Sequence, residues 1–114
     1  MADRVRKALH MLPITESTRE RLEALFAPED RAEAERLLAE ECSGNLPFCE
    51  DATPESAERI RYAVLKLSRG SLDELRRAIA EAQMDWRDVL MAAGFGCEVE
   101  AHLRWHPRNG PDSA

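Results

Sequence analysis

Two histidines near the end of the chain, His102 and His106, form the first pair whose spacing could do chemistry. Four residues apart on a continuous helix they share one face, the arrangement by which helices present two imidazoles to a metal ion. Cys42 and Cys49 could complete a two-cysteine, two-histidine set, but Cys-x6-Cys is not a standard zinc spacing, and Pro107 leaves the end of the helix open. The alternative is a surface pair near a helix C-terminus, where the dipole mildly favours an imidazolium. No metal or other cofactor is expected.

Cys97 follows Gly96 at an expected helix start, where a thiol pKa falls and a nucleophile could form. Its base would have to be His102, which lies five residues on and about 140° around the helix. A half-buried structural thiol is the simpler reading. Asp85 and Asp88 read as helix caps rather than a general acid/base pair. The sequence contains no Gly-rich phosphate loop, nucleophile elbow or metalloprotease motif. Enzymatic activity is not expected.

A second kind of chemistry is recognition. Arg59, Lys66, Arg69, Arg76 and Arg77 cluster within one stretch, and arginine pairs bidentately with carboxylates and phosphates. They could form an anion-binding or partner-binding surface. In the competing reading they pair with the acidic first half of the chain or simply solubilise their helices. From Thr15 to Glu58 there are 13 acidic and 4 basic residues, and from Arg59 to Ala80 there are 6 basic and 2 acidic. The net charge of -6 disfavours nucleic acid as a main partner, because phosphate contacts supply most of that affinity. Arginine outnumbers lysine fourteen to two, which reads as codon bias rather than function.

These residues must be positioned by helices, since no alternating strand pattern occurs. Thr53 and Pro54 start a helix whose stripe is Ala57, Ile60, Val64 and Leu67. Ser68-Arg69-Gly70 breaks it. Ser71 with Glu74 forms a capping box ahead of Leu72, Leu75, Ile79 and Ala82. The pair predicts an αα-hairpin, about 54–68 and 72–84. Asp85 can cap a further helix carrying Trp86, Val89, Leu90 and Ala93, which Gly94 closes.

Upstream, Pro13 forces a break and Thr15 or Ser17 caps a helix with Leu22, Leu25 and Phe26; Pro28 starts another with Ala34, Leu37, Leu38 and Cys42. Residues 43–52 have no period and form the longest expected loop, with Leu46 and Phe48 turned into the core or left exposed for a partner. A last short helix from about Cys97 to Trp105 should place Val99 and Leu103 inward, while Trp105 reads equally as buried or as an exposed contact. Residues 107–114 form a tail. Residues 1–12 read as a first helix, or as a flexible arm or short amphipathic targeting peptide.

The run Glu58-Arg59-Ile60-Arg61-Tyr62-Ala63-Val64-Leu65-Lys66-Leu67-Ser68, with Asp85-Trp86-Arg87-Asp88-Val89-Leu90-Met91-Ala92-Ala93-Gly94-Phe95, resembles a family of small uncharacterised all-helical proteins. The resemblance implies a helical fold and brings no activity or residue role with it.

The 114 residues fit one domain, a compact all-α bundle of five or six short helices. No apolar run approaches the roughly 20 residues that span a bilayer, and three cysteines without a CxxC suit a reducing compartment. A cytoplasmic location is expected, with no membrane partner. The leading functional expectation is a non-enzymatic helical module that binds another protein or itself. The alternative is a small regulator that binds an anionic ligand or nucleic acid through the Arg59–Arg77 surface, and the third is a metal- or thiol-dependent enzyme.

Overall fold

A computed structural model describes residues 14–42, 54–96 and 101–107. Among them the chain is helical throughout, with no strand. Helices α1 (Glu16–Leu25), α2 (Pro28–Glu41), α3 (Pro54–Ser68) and α4 (Leu72–Ala93) are followed by a 3₁₀ turn, Ala101–Arg104. Among the described residues these are four α-helices, where five or six were expected of the whole chain. The expected helix over 1–12, the loop with Leu46, Phe48 and Cys49, the Thr53 cap, Cys97, Val99 and the tail beyond Pro107 lie outside the described residues.

The helix boundaries follow local chemistry. Thr15 caps α1 by accepting from the Thr18 amide, and Pro28 occupies the first turn of α2. Ser71 caps α4 by accepting from the Glu74 amide at 3.3 Å. Asp85 is extended inside α4 (φ −156°, ψ 101°), and its carboxylate accepts from the Arg87 amide at 3.1 Å. The expected cap is therefore present: Asp85 leaves the helical dihedrals, and the helical segments on its two sides meet there at a kink within α4. Gly94 (φ 83°) closes α4 in a Schellman motif, its amide on the Met91 carbonyl and that of Phe95 on the Leu90 carbonyl.

The hairpin of α3 and α4 makes the most extensive packing in the described structure, with α1 and α2 laid against it. Helix α3 departs from the single stripe expected of it. Ile60, Arg61, Tyr62, Ala63, Val64 and Leu65 are all buried, so α3 is enclosed nearly all round. Leu75, Ala78, Ile79 and Ala82 meet it from α4, and Leu22, Phe26, Leu37 and Leu38 complete the core from α1 and α2.

Charge pairs tie the surface together. Arg19 of α1 pairs with Glu35 of α2 at 2.8 Å, and Glu33 of α2 is held by Arg36 at 2.6 Å and by Arg76 of α4 at 3.4 Å. The hydrogen bond from Arg36, reinforced by Arg76 against some desolvation, lowers the Glu33 carboxyl from 4.5 to about 2. A carboxyl depressed in the folded state stabilises above its ordinary pKa and loses that contribution as pH falls through the folded value. Glu33→Gln should accordingly lower the melting temperature at neutral pH and lower it much less near pH 2. A deficit of equal size at both pH values would contradict this pairing.

Candidate docking cleft

The site is built where helix ends meet. A helix leaves its last four carbonyls without intrahelical partners, and this chain satisfies several of them with cationic side chains. Lys66 donates to the Ala93 carbonyl at 2.9 Å and lies 5.1 Å from the centre of the Phe95 ring; burial lowers its pKa. Arg59 donates to the Phe95 carbonyl at 2.5 Å, Arg31 to those of Phe26 and Glu23, and the buried Arg61 to that of Cys42 at 3.0 Å. Desolvation lowers the pKa of Arg61.

Arg21, also buried, reaches furthest along the sequence. Its Nε donates to the Trp105 carbonyl at 2.9 Å, and its Nη1 to the Ser17 carbonyl and hydroxyl at 3.0 and 2.7 Å. The guanidinium stands 4.3 Å from the centre of the Tyr62 ring, whose hydroxyl is hydrogen-bonded to Ser17. Burial raises the Tyr62 pKa. The arginine excess, read from the sequence as codon bias, thus has a structural use: a planar fork can hold several main-chain carbonyls at once.

The end of the chain corrects two expectations. Residues 101–104 are 3₁₀, not α, and the Trp105 amide bonds the His102 carbonyl at 3.1 Å. At three residues per turn, positions 102 and 105 share a face. His102 and Trp105 are therefore buried, and Leu103, expected inward, is 51% exposed. His102 packs edge-on to Tyr62 (5.2 Å) and Phe95 (6.3 Å), while His106 is half-buried beyond the turn. The shared face expected for His102 and His106 does not form. Cys42 is buried at the end of α2, and Cys49 lies outside the described residues. No group of three or more potential metal ligands assembles among the described residues.

With these anchors in place an open cleft of about 1060 Å³ remains at the junction. Leu25 of α1, Leu67 of α3, Ala92 and Ala93 of α4, Trp105 and Pro107 form its apolar walls, and Lys66, Arg69 and Glu74 its polar edge. Of the five basic residues singled out from the sequence, only Lys66 and Arg69 line it. Arg59 is turned to the Phe95 carbonyl, Arg76 to Glu33 and Asp73, and Arg77 to Glu74 at 3.4 Å.

No family model, curated protein or solved structure matches the chain. No relative therefore lends the cleft a ligand. No helix among the described residues is long and apolar enough to cross a membrane.

The walls carried a signal in the sequence, since Leu25 and Leu67 sit at the margins of their stripes. The roles of Arg21 and Arg61 carried none beyond the arginine excess. Their partners are main-chain carbonyls, and any residue type supplies one.

Proposed function

We propose that this chain is a non-enzymatic helical interaction module that receives a helical segment of another protein in the cleft between α1, α3, the end of α4 and the Trp105–Pro107 segment. The observation that carries this reading is the cleft itself. Leu25 and Leu67 pack on the core yet stay half-exposed, beside exposed Ala92, in a groove whose frame is pinned by the Lys66–Ala93 and Arg21–Trp105 hydrogen bonds. A groove already formed before binding avoids an ordering cost, and a half-open cleft with apolar and charged lining suits a protein segment better than an enclosed small ligand.

Site-specific photo-crosslinking in cells tests this. A crosslinker at Ala92 should give a discrete adduct that disappears when Leu67→Asp places a charge in the wall. The same group at Ala80, exposed on α4 but outside the cleft, should give none. Equal adducts from both positions, or none from Ala92, would count against the module. An adduct of twice the chain mass would make the occupant a second copy.

A further inference from the structure

The cleft carries one cation that the fold does not use. Among the described residues every other arginine has an acid, a carbonyl or another contact to engage it. Arg69 is exposed and makes no hydrogen bond or ion pair with any described residue, although it stands on the edge of the cleft.

Its backbone makes the choice of residue more unusual. Arg69 has φ 52°, the one non-glycine residue at positive φ among those described. Residues with a Cβ resist that conformation, and glycine or asparagine adopts it more readily. The turn is held by its neighbours, since the Ser68 hydroxyl donates to the Leu65 carbonyl and accepts from the Gly70 amide. An unpaired cation at a position that glycine or asparagine would fill more easily gives the turn no bond, so its use is sought outside the turn.

The charge around it sets the occupant's chemistry. The Lys66 ammonium, already on the Ala93 carbonyl, adds positive potential from the wall, and Glu74 on the same edge is paired with Arg77. One open cation beside a carboxylate matches a single carboxylate better than a phosphate run, which needs several cations. We propose that the groove receives an amphipathic helix of another protein with one aspartate or glutamate paired to Arg69. The proposal rests on the docking reading above and adds the acid that the partner must carry.

The test is selection of a phage-displayed library of random 14-residue peptides against the whole chain. Selected peptides should carry an acidic residue at a fixed distance from apolar residues spaced i, i+3 or i+4, and i+7, and should shift the amide resonances of Leu67 and Ala92. Their affinity should fall about tenfold with Arg69→Asn, by loss of a charge-assisted bond, and less with Arg69→Lys. Because asparagine tolerates positive φ, Arg69→Asn should melt at or above the wild-type temperature. A clear fall in melting temperature would assign Arg69 to the fold and overturn the proposal. Peptides that bind the groove without an acid, or that ignore Arg69→Asn, would sink the pairing and leave the docking reading standing. If no peptide reaches the groove, both fall. A concentration-dependent dimer abolished by Arg69→Asn would overturn the assignment to another protein in favour of a second copy.

Discussion

Arg21→Ala is expected to destabilise the fold by about 3 kcal/mol and to loosen the segment that carries Trp105. The substitution removes the donor to the buried Trp105 carbonyl, two bonds to Ser17 and the cation over the Tyr62 ring. A hydrogen bond from a charged group contributes about 1.5–3 kcal/mol, and an acceptor left buried without a donor costs about 1–3 kcal/mol more. These terms overlap, so the total lies below their sum. Arg21→Met keeps the packing of the stem over Tyr62 and should recover about 1 kcal/mol.

The consequence reaches the cleft, because Trp105 forms part of its wall. In a Trp86→Phe background Trp105 is the one tryptophan left. Arg21→Ala should shift its emission to the red and expose it to iodide before the global unfolding transition in urea. Coincident transitions, or a loss of stability below about 1 kcal/mol, would show that the ring packing of Trp105 against Tyr62 and Phe95 holds the segment without the arginine.

Gly70→Ala is expected to cost about 3 kcal/mol, and Gly94→Ala only about 1 kcal/mol. Both glycines have φ +83°, so each variant bears the same penalty for an L-residue in the left-handed region. Their surroundings differ. A Cβ at Gly70 would lie 2.5 Å from the Leu25 carbonyl oxygen and 3.4 Å from its carbon, which are main-chain atoms at the end of α1. Relief requires α1 to move away from the hairpin turn. A Cβ at Gly94 meets only the Lys66 ammonium at 3.9 Å, the far end of a flexible side chain.

Chemical denaturation of the two variants under one set of conditions gives the comparison directly. Equal losses would mean that conformation alone decides, and that the approach of the turn to α1 contributes little. Leu25 also lines the cleft, so the alanine at Gly70 should perturb peptide binding while the one at Gly94 leaves the Leu25 wall in place.

The starts and stops of the helices were legible in the sequence because each depends on atoms within about four residues. Thr15, Ser71, Asp85 and Gly94 bond amides or carbonyls of their own helix, Pro28 fixes φ in a first turn where no N–H is needed, and residue type is enough to recognise them. The hairpin of 54–68 and 72–84 followed from two apolar stripes across a Ser-Arg-Gly turn. The break at Asp85 was legible for the same reason, since its carboxylate accepts from the Arg87 amide two residues on.

Only the tertiary structure decided which charges turn inward. From the sequence Arg59, Lys66, Arg69, Arg76 and Arg77 could form one surface, and nothing singled out Arg21 or Arg61. In the fold Arg21 bonds a carbonyl 84 positions away and Arg61 one 19 positions away. No pattern of residue types marks a main-chain acceptor at that distance, so burial of a guanidinium becomes visible only when the helix ends are brought together. The 3₁₀ turn made the same difference at His102, Leu103 and Trp105, since changing the period from 3.6 to 3.0 residues changes which side chains face the core. The sequence by itself determined that the described chain is helical and where most of its helices begin and end. The junction of α1, α3 and α4 decided the cleft and left Arg69 unpaired among the described residues at its edge, because a cleft is a property of surfaces that meet only after the chain has folded.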